Sequence, residues 1–171
     1  MLFNKILKSR TILLILILIC SLTSHAQVNI GIKRAEQQWV DSVYSALSPQ
    51  QRIGQLFMQR AYSNVDSVEI RQLTRLIKEY NIGGLCFFQG GPVRQAILTN
   101  YYQNLSSTPL LISMDAEWGL GMRLDSTISF ARQMTLGAMK NEKLISEFGI
   151  SAASQLRRLG VHISFSPVAD I

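Results

Sequence analysis

Cysteine and histidine are scarce in this sequence. Its 171 residues include two cysteines, Cys20 and Cys86, and two histidines, His25 and His162. Zinc sites of the usual kind need several His or Cys ligands, so no metal cluster is expected. Cys20 lies in an N-terminal apolar segment typical of a cleaved signal peptide. With only Cys86 left, an internal disulfide framework is excluded, and this thiol is expected to pack as a small hydrophobic residue.

Long hydrophobic runs are also scarce, and the main one is at the N-terminus. Three basic residues precede it, namely Lys5, Lys8 and Arg10. The uninterrupted apolar run over residues 12–19 is too short for a typical membrane span. Small residues then stand at the −3 and −1 positions of a cleavage site before Gln27. This pattern predicts a signal peptide at residues 1–26 and export of residues 27–171 to the periplasm or the cell exterior.

Removal of the signal peptide changes the net charge of the protein, and it decides whether a lipid anchor at Cys20 is possible. Cys20 raises the alternative of a lipoprotein, but Ile19 before it is larger than the Gly, Ala or Ser that such processing normally requires. Soluble export is therefore favoured, with no stable membrane span in the mature chain. The cleaved segment carries three basic residues and no acidic ones, so the formal charge falls from +6 to +3. Such a small excess gives no reason to expect a nucleic-acid partner.

Short apolar runs alternate with amphipathic stretches along the rest of the chain. Helical spacing predicts helices over residues 35–47, 64–80, 92–105 and 141–159 and a helical turn after Ser48-Pro49; strands are predicted at 55–61, 84–88, 110–114 and 161–165. Strands separated by helices of this length pair in parallel. The chain lacks a Gly-x-Gly-x-x-Gly turn, which disfavours a nucleotide-binding sheet. These features predict an α/β fold corresponding to the N-terminal half of a (β/α)8 barrel, truncated because a whole barrel needs about 250 residues.

Polar residues cluster where the third predicted strand ends. The apolar run that begins after Pro109 stops at Asp115, and Glu117, Trp118 and Arg123 follow within nine positions. In β/α proteins ligands bind at the carboxyl ends of parallel strands and in the loops beyond them. This segment is therefore the first place to look for chemistry.

Four segments of the chain together resemble glycoside hydrolase family 3. They are Leu47-Ser48-Pro49-Gln50-Gln51-Arg52-Ile53-Gly54-Gln55-Leu56, Ile82-Gly83-Gly84-Leu85, Met114-Asp115-Ala116-Glu117-Trp118-Gly119-Leu120-Gly121-Met122-Arg123 and Leu159-Gly160-Val161-His162-Ile163-Ser164-Phe165-Ser166-Pro167-Val168-Ala169-Asp170. The third resembles the signature Asp-Gln-Glu-Gly-Gly-Arg-Val-x-Arg, and its Asp-x-Glu form is similar to the β-N-acetylhexosaminidase branch. All four occur in the family's order and spacing.

The resemblance implies substrate-binding roles for several residues. Asp115 matches an aspartate that accepts hydrogen bonds from hydroxyls of the terminal sugar, a role suited to the two acceptor oxygens of a carboxylate; the alternative is that it caps the next segment. Arg123 matches a substrate-binding arginine, or else it forms a scaffold ion pair. Asp170 contacts the sugar or supports residues that do. Trp118 replaces a glycine and either stacks on a sugar or packs under the loop, and Glu117 is expected to pair with an arginine and shape the loop.

The implied activity is hydrolysis of terminal β-N-acetylglucosamine from cell-wall or other glycan fragments, with retention of configuration and no cofactor. The aspartate nucleophile and the acid/base histidine of this branch are expected beyond Ile171, with the C-terminal half of the barrel, so residues 27–171 alone are expected to be inactive and to contain no catalytic residue. His162 occupies a strand position and is expected to be structural. The alternatives are a β-glucosidase or β-xylosidase of the same family and a non-catalytic carbohydrate-binding remnant.

Overall fold

The computed structural model describes residues 34–168. The predicted signal peptide and Asp170 lie outside the described residues. The chain divides into two compact units between Val40 and Asp41. All elements discussed below lie in the second unit, except the beginning of the first helix. Within residues 34–168, no helix has the length and apolar character needed to cross a membrane.

Helices and strands alternate along the described chain. In order they are α1 (Arg34–Ala46), α2 (Pro49–Gly54), β1 (Met58–Ala61), α3 (Ser67–Tyr80), β2 (Gly84–Phe87), α4 (Pro92–Leu105), β3 (Leu111–Met114), a 3-10 turn (Leu120–Met122), α5 (Gln133–Gly137), α6 (Glu142–Arg158) and β4 (Ile163–Ser164). Both β1 and α3 begin three residues later than predicted. The short helix α5 forms where no regular pattern was predicted.

The four strands form one parallel sheet in the order β1-β2-β3-β4. Its register aligns Ala61 with Phe87, Phe87 with Met114, and Met114 with Ser164. Helices lie between consecutive strands, as parallel pairing requires. The predicted α/β fold with about four parallel strands and intervening helices is therefore confirmed.

The last strand is shorter than the alternating pattern over residues 161–165 predicted. Pairing with β3 nevertheless extends to both sides of it. The His162 N–H donates to the Ile112 carbonyl at 2.8 Å, and the Phe165 N–H donates to the Met114 carbonyl at 3.0 Å. The sheet hydrogen bonds therefore continue to the position directly after β4.

Side-chain caps explain where three of the helices begin. Ser48 forms a capping box with Gln51 before α2, Asp66 caps α3, and Asn141 caps α6. The Asp66 carboxylate accepts hydrogen bonds from the N–H groups of Val68 and Glu69 at 2.9 and 3.1 Å. Because Asp66 satisfies two N–H groups that lack helical partners, α3 begins at Ser67 and not at the predicted residue 64.

The core lies between one face of the sheet and the helices that follow β1 and β2. Its sheet side is formed by Leu85, Phe87, Ile112 and Met114, all fully buried, and its helix side by Leu73, Ile77 and Tyr102. Side chains of this size each contribute roughly 1.5–3 kcal/mol when fully buried. One face of the sheet is thus held by packing, and the residues between these positions in sequence point to the opposite face.

Only part of the apolar side of α4 is buried: Tyr102 lies in the core and Leu98 and Leu105 pack against it. Val93 and Ile97 recur at helical spacing but are mostly exposed, whereas Gln95, Thr99 and Tyr102 are buried. The side-chain polar atoms of these three buried residues have no hydrogen-bond partner among the described residues. Burial also raises the pKa of Tyr102 to about 12. The apolar spacing of α4 therefore predicts only part of its buried side.

Only part of the apolar side of α6 is buried. Ala152 and Leu156 are buried, whereas Leu144 is 49% exposed. Phe148 packs edge-on against Phe130, with ring centroids 5.1 Å apart. The first half of α6 therefore packs on the segment after β3, and only its second half packs against the core.

Candidate functional site

A row of side chains follows the strands at the carboxyl edge of the sheet. The residues directly after β1, β2, β3 and β4 are Tyr62, Phe88, Asp115 and Phe165. The Phe88 N–H donates to the Ala61 carbonyl at 2.9 Å, which continues the register, as Phe165 does with Met114. Since side chains alternate along a strand, this row points to the face opposite the helix-packed core. Parallel strands therefore bring Asp115 between two aromatic side chains.

Asp115 is held by Arg123 in a partly buried ion pair. Nη2 of Arg123 donates to Oδ2 of Asp115 at 2.8 Å, and Nε donates to the Asp115 backbone carbonyl at 3.2 Å. The side chains of Asp115 and Arg123 are 31% and 17% exposed. No described residue donates a hydrogen bond to Oδ1 of Asp115. One carboxylate oxygen is therefore fixed by the protein and the other can accept from a ligand.

The short loop between these two residues turns the chain back on itself. Gly119 has φ +84°, a conformation that favours glycine, and the 3-10 turn follows it directly. The Arg123 N–H donates to the Leu120 carbonyl at 2.9 Å. Leu120 and Leu124 are buried on either side of the arginine. These contacts bring Arg123 to Asp115 although eight positions separate them in sequence.

Aromatic rings extend the site from Asp115 toward β1. The Arg123 guanidinium lies 4.8 Å from the centroid of the Phe88 ring, which is 5.8 Å from the centroid of Tyr62. The Arg60 guanidinium lies 6.0 Å from the centroid of the Tyr62 ring. Neither Phe88 nor Tyr62 was identified from the sequence. Both residues directly follow a strand. This position identifies them as site residues only when the register of the sheet is known.

The structure gives Glu117 different surroundings from those expected and has an arginine near Trp118. Among residues 34–168 no Lys, Arg or His side chain lies within 4 Å of the Glu117 carboxylate, so the expected arginine pairing is not observed. Its backbone carbonyl accepts a hydrogen bond from the Gln133 side chain. The Arg132 guanidinium lies 4.9 Å from the Trp118 ring. Glu117 thus contacts the rest of the loop through its backbone, and an arginine lies over one side of Trp118.

A second concave region lies beside the same loop. It has a volume of about 480 Å³, and its lining includes Glu117, Gln133, Leu136, Phe148 and Ser164 but neither Asp115 nor Arg123. Ser164 belongs to the row of the sheet that includes Phe87 and Met114, the row packed against helices. This cavity is therefore distinct from the site at the edge of the sheet.

His162 contributes to strand pairing. Its Nδ1 atom accepts a hydrogen bond from the Ile112 backbone N–H at 3.0 Å. In residues 34–168 no group of three or more His, Cys, Asp and Glu side chains is placed to hold a metal ion. The described site thus consists of one ion pair and an aromatic row, and the position predicted for Asp170 is not described.

Curated proteins of known activity are similar in sequence to part of this chain. A curated β-hexosaminidase from Thiobacillus denitrificans is 34% identical over 107 residues, which are 57% of this chain and 30% of that protein. A β-N-acetylglucosaminidase/β-glucosidase from Cellulomonas fimi is 25% identical over 133 residues, 78% of this chain and 23% of that protein. The chain thus spans less than a third of the length of these relatives.

Solved structures agree with the fold. A glycoside hydrolase family 3 β-N-acetylglucosaminidase from Paenibacillus is 30% identical with a TM-score of 0.60, over 71% of this chain and 24% of that one. A β-glucoside phosphorylase bound to 2FGlc has a TM-score of 0.72 over 82% of this chain and 25% of that one; at 23% identity this likeness concerns the fold alone. The model of the glycosyl hydrolase family 3 N-terminal domain matches residues 49–171, more than half of the chain. The protein therefore belongs to glycosyl hydrolase family 3 through that N-terminal domain.

Proposed function

We propose that the protein is an exported glycoside hydrolase that removes terminal β-N-acetylglucosamine from glycan fragments, and that residues 34–168 contribute to holding the sugar. The observation that supports this most is the half-fixed carboxylate of Asp115. Arg123 occupies Oδ2 at 2.8 Å, and Oδ1 is left to accept from a hydroxyl. A charge-assisted bond from a sugar hydroxyl is about twice as strong as a neutral one.

The surroundings of Asp115 suit a sugar better than a more charged ligand. The ion pair with Arg123 cancels the charge of the carboxylate, and the neighbouring side chains Phe88 and Tyr62 are aromatic. Sugars combine hydroxyl groups with apolar C–H faces, so a site with one open acceptor and nearby rings fits both features. Cleavage itself is assigned to an aspartate nucleophile and an acid/base histidine that the family resemblance puts beyond Ile171.

A β-glucosidase or β-xylosidase is the second candidate. The Cellulomonas fimi relative carries β-glucosidase in its name alongside β-N-acetylglucosaminidase. Asp115 and Arg123 do not discriminate between these sugars, because a hydroxyl acceptor serves all of them. The discriminating group is the 2-acetamido substituent, for which no contact is assigned in residues 34–168.

The test compares chromogenic substrates with the purified product of the complete open reading frame. We expect the highest kcat/KM with the β-N-acetylglucosaminide, a lower value with the β-glucoside and the lowest with the β-xyloside. A higher kcat/KM with the glucoside or xyloside would support the second candidate. Binding of N-acetylglucosamine in a calorimetric titration without any hydrolysis would indicate a non-catalytic carbohydrate-binding protein.

Export is tested separately on the mature protein. Cleavage before Gln27 predicts that N-terminal sequencing of the exported protein starts at this glutamine. A lipid-modified Cys20 at the mature N-terminus would instead indicate that the exported protein is anchored to a membrane.

A further inference from the structure

Three loops at the carboxyl edge of the sheet are joined around a buried serine. Ser63, in the loop after β1, is 4% exposed. Its hydroxyl accepts from the Gly91 N–H at 3.0 Å and donates to the Gly91 carbonyl at 3.2 Å. Gly90 has φ +142°, and a Cβ at this position would collide with the serine hydroxyl. The loops after β1 and β2 are therefore in close contact through groups that only small residues permit.

An arginine and an aspartate extend these contacts to the loop after β3. Nε of Arg94 donates to the Ser63 carbonyl at 3.2 Å, and its Nη2 donates to Oδ2 of Asp125 at 2.8 Å. The Asp125 backbone N–H donates to the Gly90 carbonyl at 2.8 Å. We name Ser63, Gly90, Gly91, Arg94 and Asp125 the loop clamp. It contacts the third loop two residues after Arg123.

The ion pair of the loop clamp is poorly suited to a role in overall stability. The side chains of Arg94 and Asp125 are 54% and 59% exposed, and exposed ion pairs contribute little to the free energy of unfolding. The contacts of the loop clamp nevertheless hold the end of the short segment that carries Arg123, and they restrict the positions that this segment can adopt. Between the 3-10 turn and Asp125 the chain has only Arg123 and the buried Leu124, which bridges to Gly90. Fixing Asp125 thus limits where the Arg123 backbone can lie.

We infer that the loop clamp positions Arg123 against Asp115 and so preorganises the carboxylate for the sugar, with Arg94 and Ser63 as positioning residues. This inference rests on the proposed function, because it concerns the same site. In the described residues no hydrogen bond or ion pair joins Arg94 or Ser63 to Asp115 or Arg123, so the two residues act through the loop backbone. Loss of the clamp lowers the fraction of protein whose site is competent to bind, which weakens the apparent affinity for substrate.

The test uses the product of the complete open reading frame and three variants. Arg94→Gln removes the ion pair, Ser63→Ala removes the buried hydroxyl, and Arg75→Gln is a matched control, since Arg75 forms an exposed ion pair with Glu79 at 2.9 Å in α3. We expect Arg94→Gln and Ser63→Ala to raise KM about three- to tenfold with kcat changed less than about twofold, as for a loss of uniform binding. Arg94→Lys, which keeps the charge, should recover part of the change.

Hydrogen–deuterium exchange of the free protein supplies a readout independent of activity. Amides of residues 120–125 should exchange at least about threefold faster in Arg94→Gln than in Arg75→Gln. Unchanged exchange, or faster exchange with unchanged KM, would overturn the inference while leaving the proposed function intact. An unsubstituted protein that neither hydrolyses glycosides nor binds N-acetylglucosamine would overturn both.

Discussion

Replacing Asp115 by asparagine separates the two roles that its carboxylate can have. The substitution keeps the shape of the side chain and removes one negative charge. The asparagine presents to Arg123 either its neutral amide oxygen, which accepts a weaker hydrogen bond, or its NH2 group, which repels the guanidinium. If Asp115 only anchors Arg123, the change affects stability alone. If Oδ1 also accepts from the sugar, the change weakens sugar binding as well.

The structure sets the size of both effects. A hydrogen bond to a charged group contributes about 1.5–3 kcal/mol, whereas breaking a fully buried ion pair costs about 3–5 kcal/mol. Here the side chains of Asp115 and Arg123 are partly exposed, and Arg123 keeps its bond to the Asp115 carbonyl and its place 4.8 Å from the Phe88 centroid. We therefore expect a loss of about 1–2 kcal/mol in the free energy of unfolding. A neutral acceptor in place of a charged one should weaken sugar binding by a further 1–2 kcal/mol, or roughly 5- to 30-fold.

Both quantities are measured on the product of the complete open reading frame. Urea denaturation gives the free energy of unfolding, and calorimetric titration with N-acetylglucosamine gives Kd. Glu79→Gln is the matched control, because it neutralises an exposed carboxylate that is ion-paired within α3, and it should change neither quantity by more than about 0.5 kcal/mol. An Asp115→Asn protein with reduced stability but an unchanged Kd would refute the assignment of Asp115 to the sugar.

Three further substitutions test other parts of the structure. Phe88→Ala removes the ring beside Arg123 and should raise KM about two- to fivefold, since a cation–π contact contributes about 0.5–1 kcal/mol; an unchanged KM would exclude a role for the ring. Gly90→Ala should cost at least about 2 kcal/mol in urea denaturation, because φ is +142° and the new methyl group collides with Ser63; a loss below about 1 kcal/mol would contradict this. Tyr102→Phe should not destabilise the protein at neutral pH, since the hydroxyl lacks a described partner. Burial raises its pKa to about 12, above the usual 10, so unfolding releases its proton between these values and stability should fall as pH rises from 10 to 12; the phenylalanine variant should show less of this loss, and an equal loss would contradict the argument.

The position of Asp115 could be predicted from the sequence, but its contact with Arg123 could not. An apolar run that ends at a carboxylate predicts a strand exit, and the structure has β3 ending at Met114. The approach of Arg123 depends on a positive φ at Gly119 and on one short turn. Such a turn leaves no periodic pattern in the sequence, so the resemblance suggested a role for Arg123 without its geometry. That sugar-binding role stays a prediction.

Contacts between loops could not be predicted from the sequence for a different reason. Phe88 looked like the end of an apolar strand, and only the alignment of β2 with β3 brings it beside Asp115. Ser63 and Arg94 are 31 positions apart, and their hydrogen bond depends on two loops meeting at the same edge. Likewise, the buried side of α4 includes Gln95, which no apolar pattern marks. Local patterns predict elements, whereas these contacts arise from how the elements are arranged.

The ion pair with Arg123 would orient the Asp115 carboxylate for the sugar-binding role that we propose. A free carboxylate at the edge of the sheet would be strongly hydrated, and a sugar would have to displace water from both oxygens. With Oδ2 already bonded to Arg123, only Oδ1 exchanges water for a hydroxyl, and its direction is fixed before the sugar arrives. Preorganisation of this kind lowers the ordering cost of binding, and it also leaves less water for the sugar to displace. If Asp115 binds the sugar as proposed, selectivity among sugars comes from contacts that recognise their other substituents, because a single acceptor oxygen recognises a hydroxyl by its position alone.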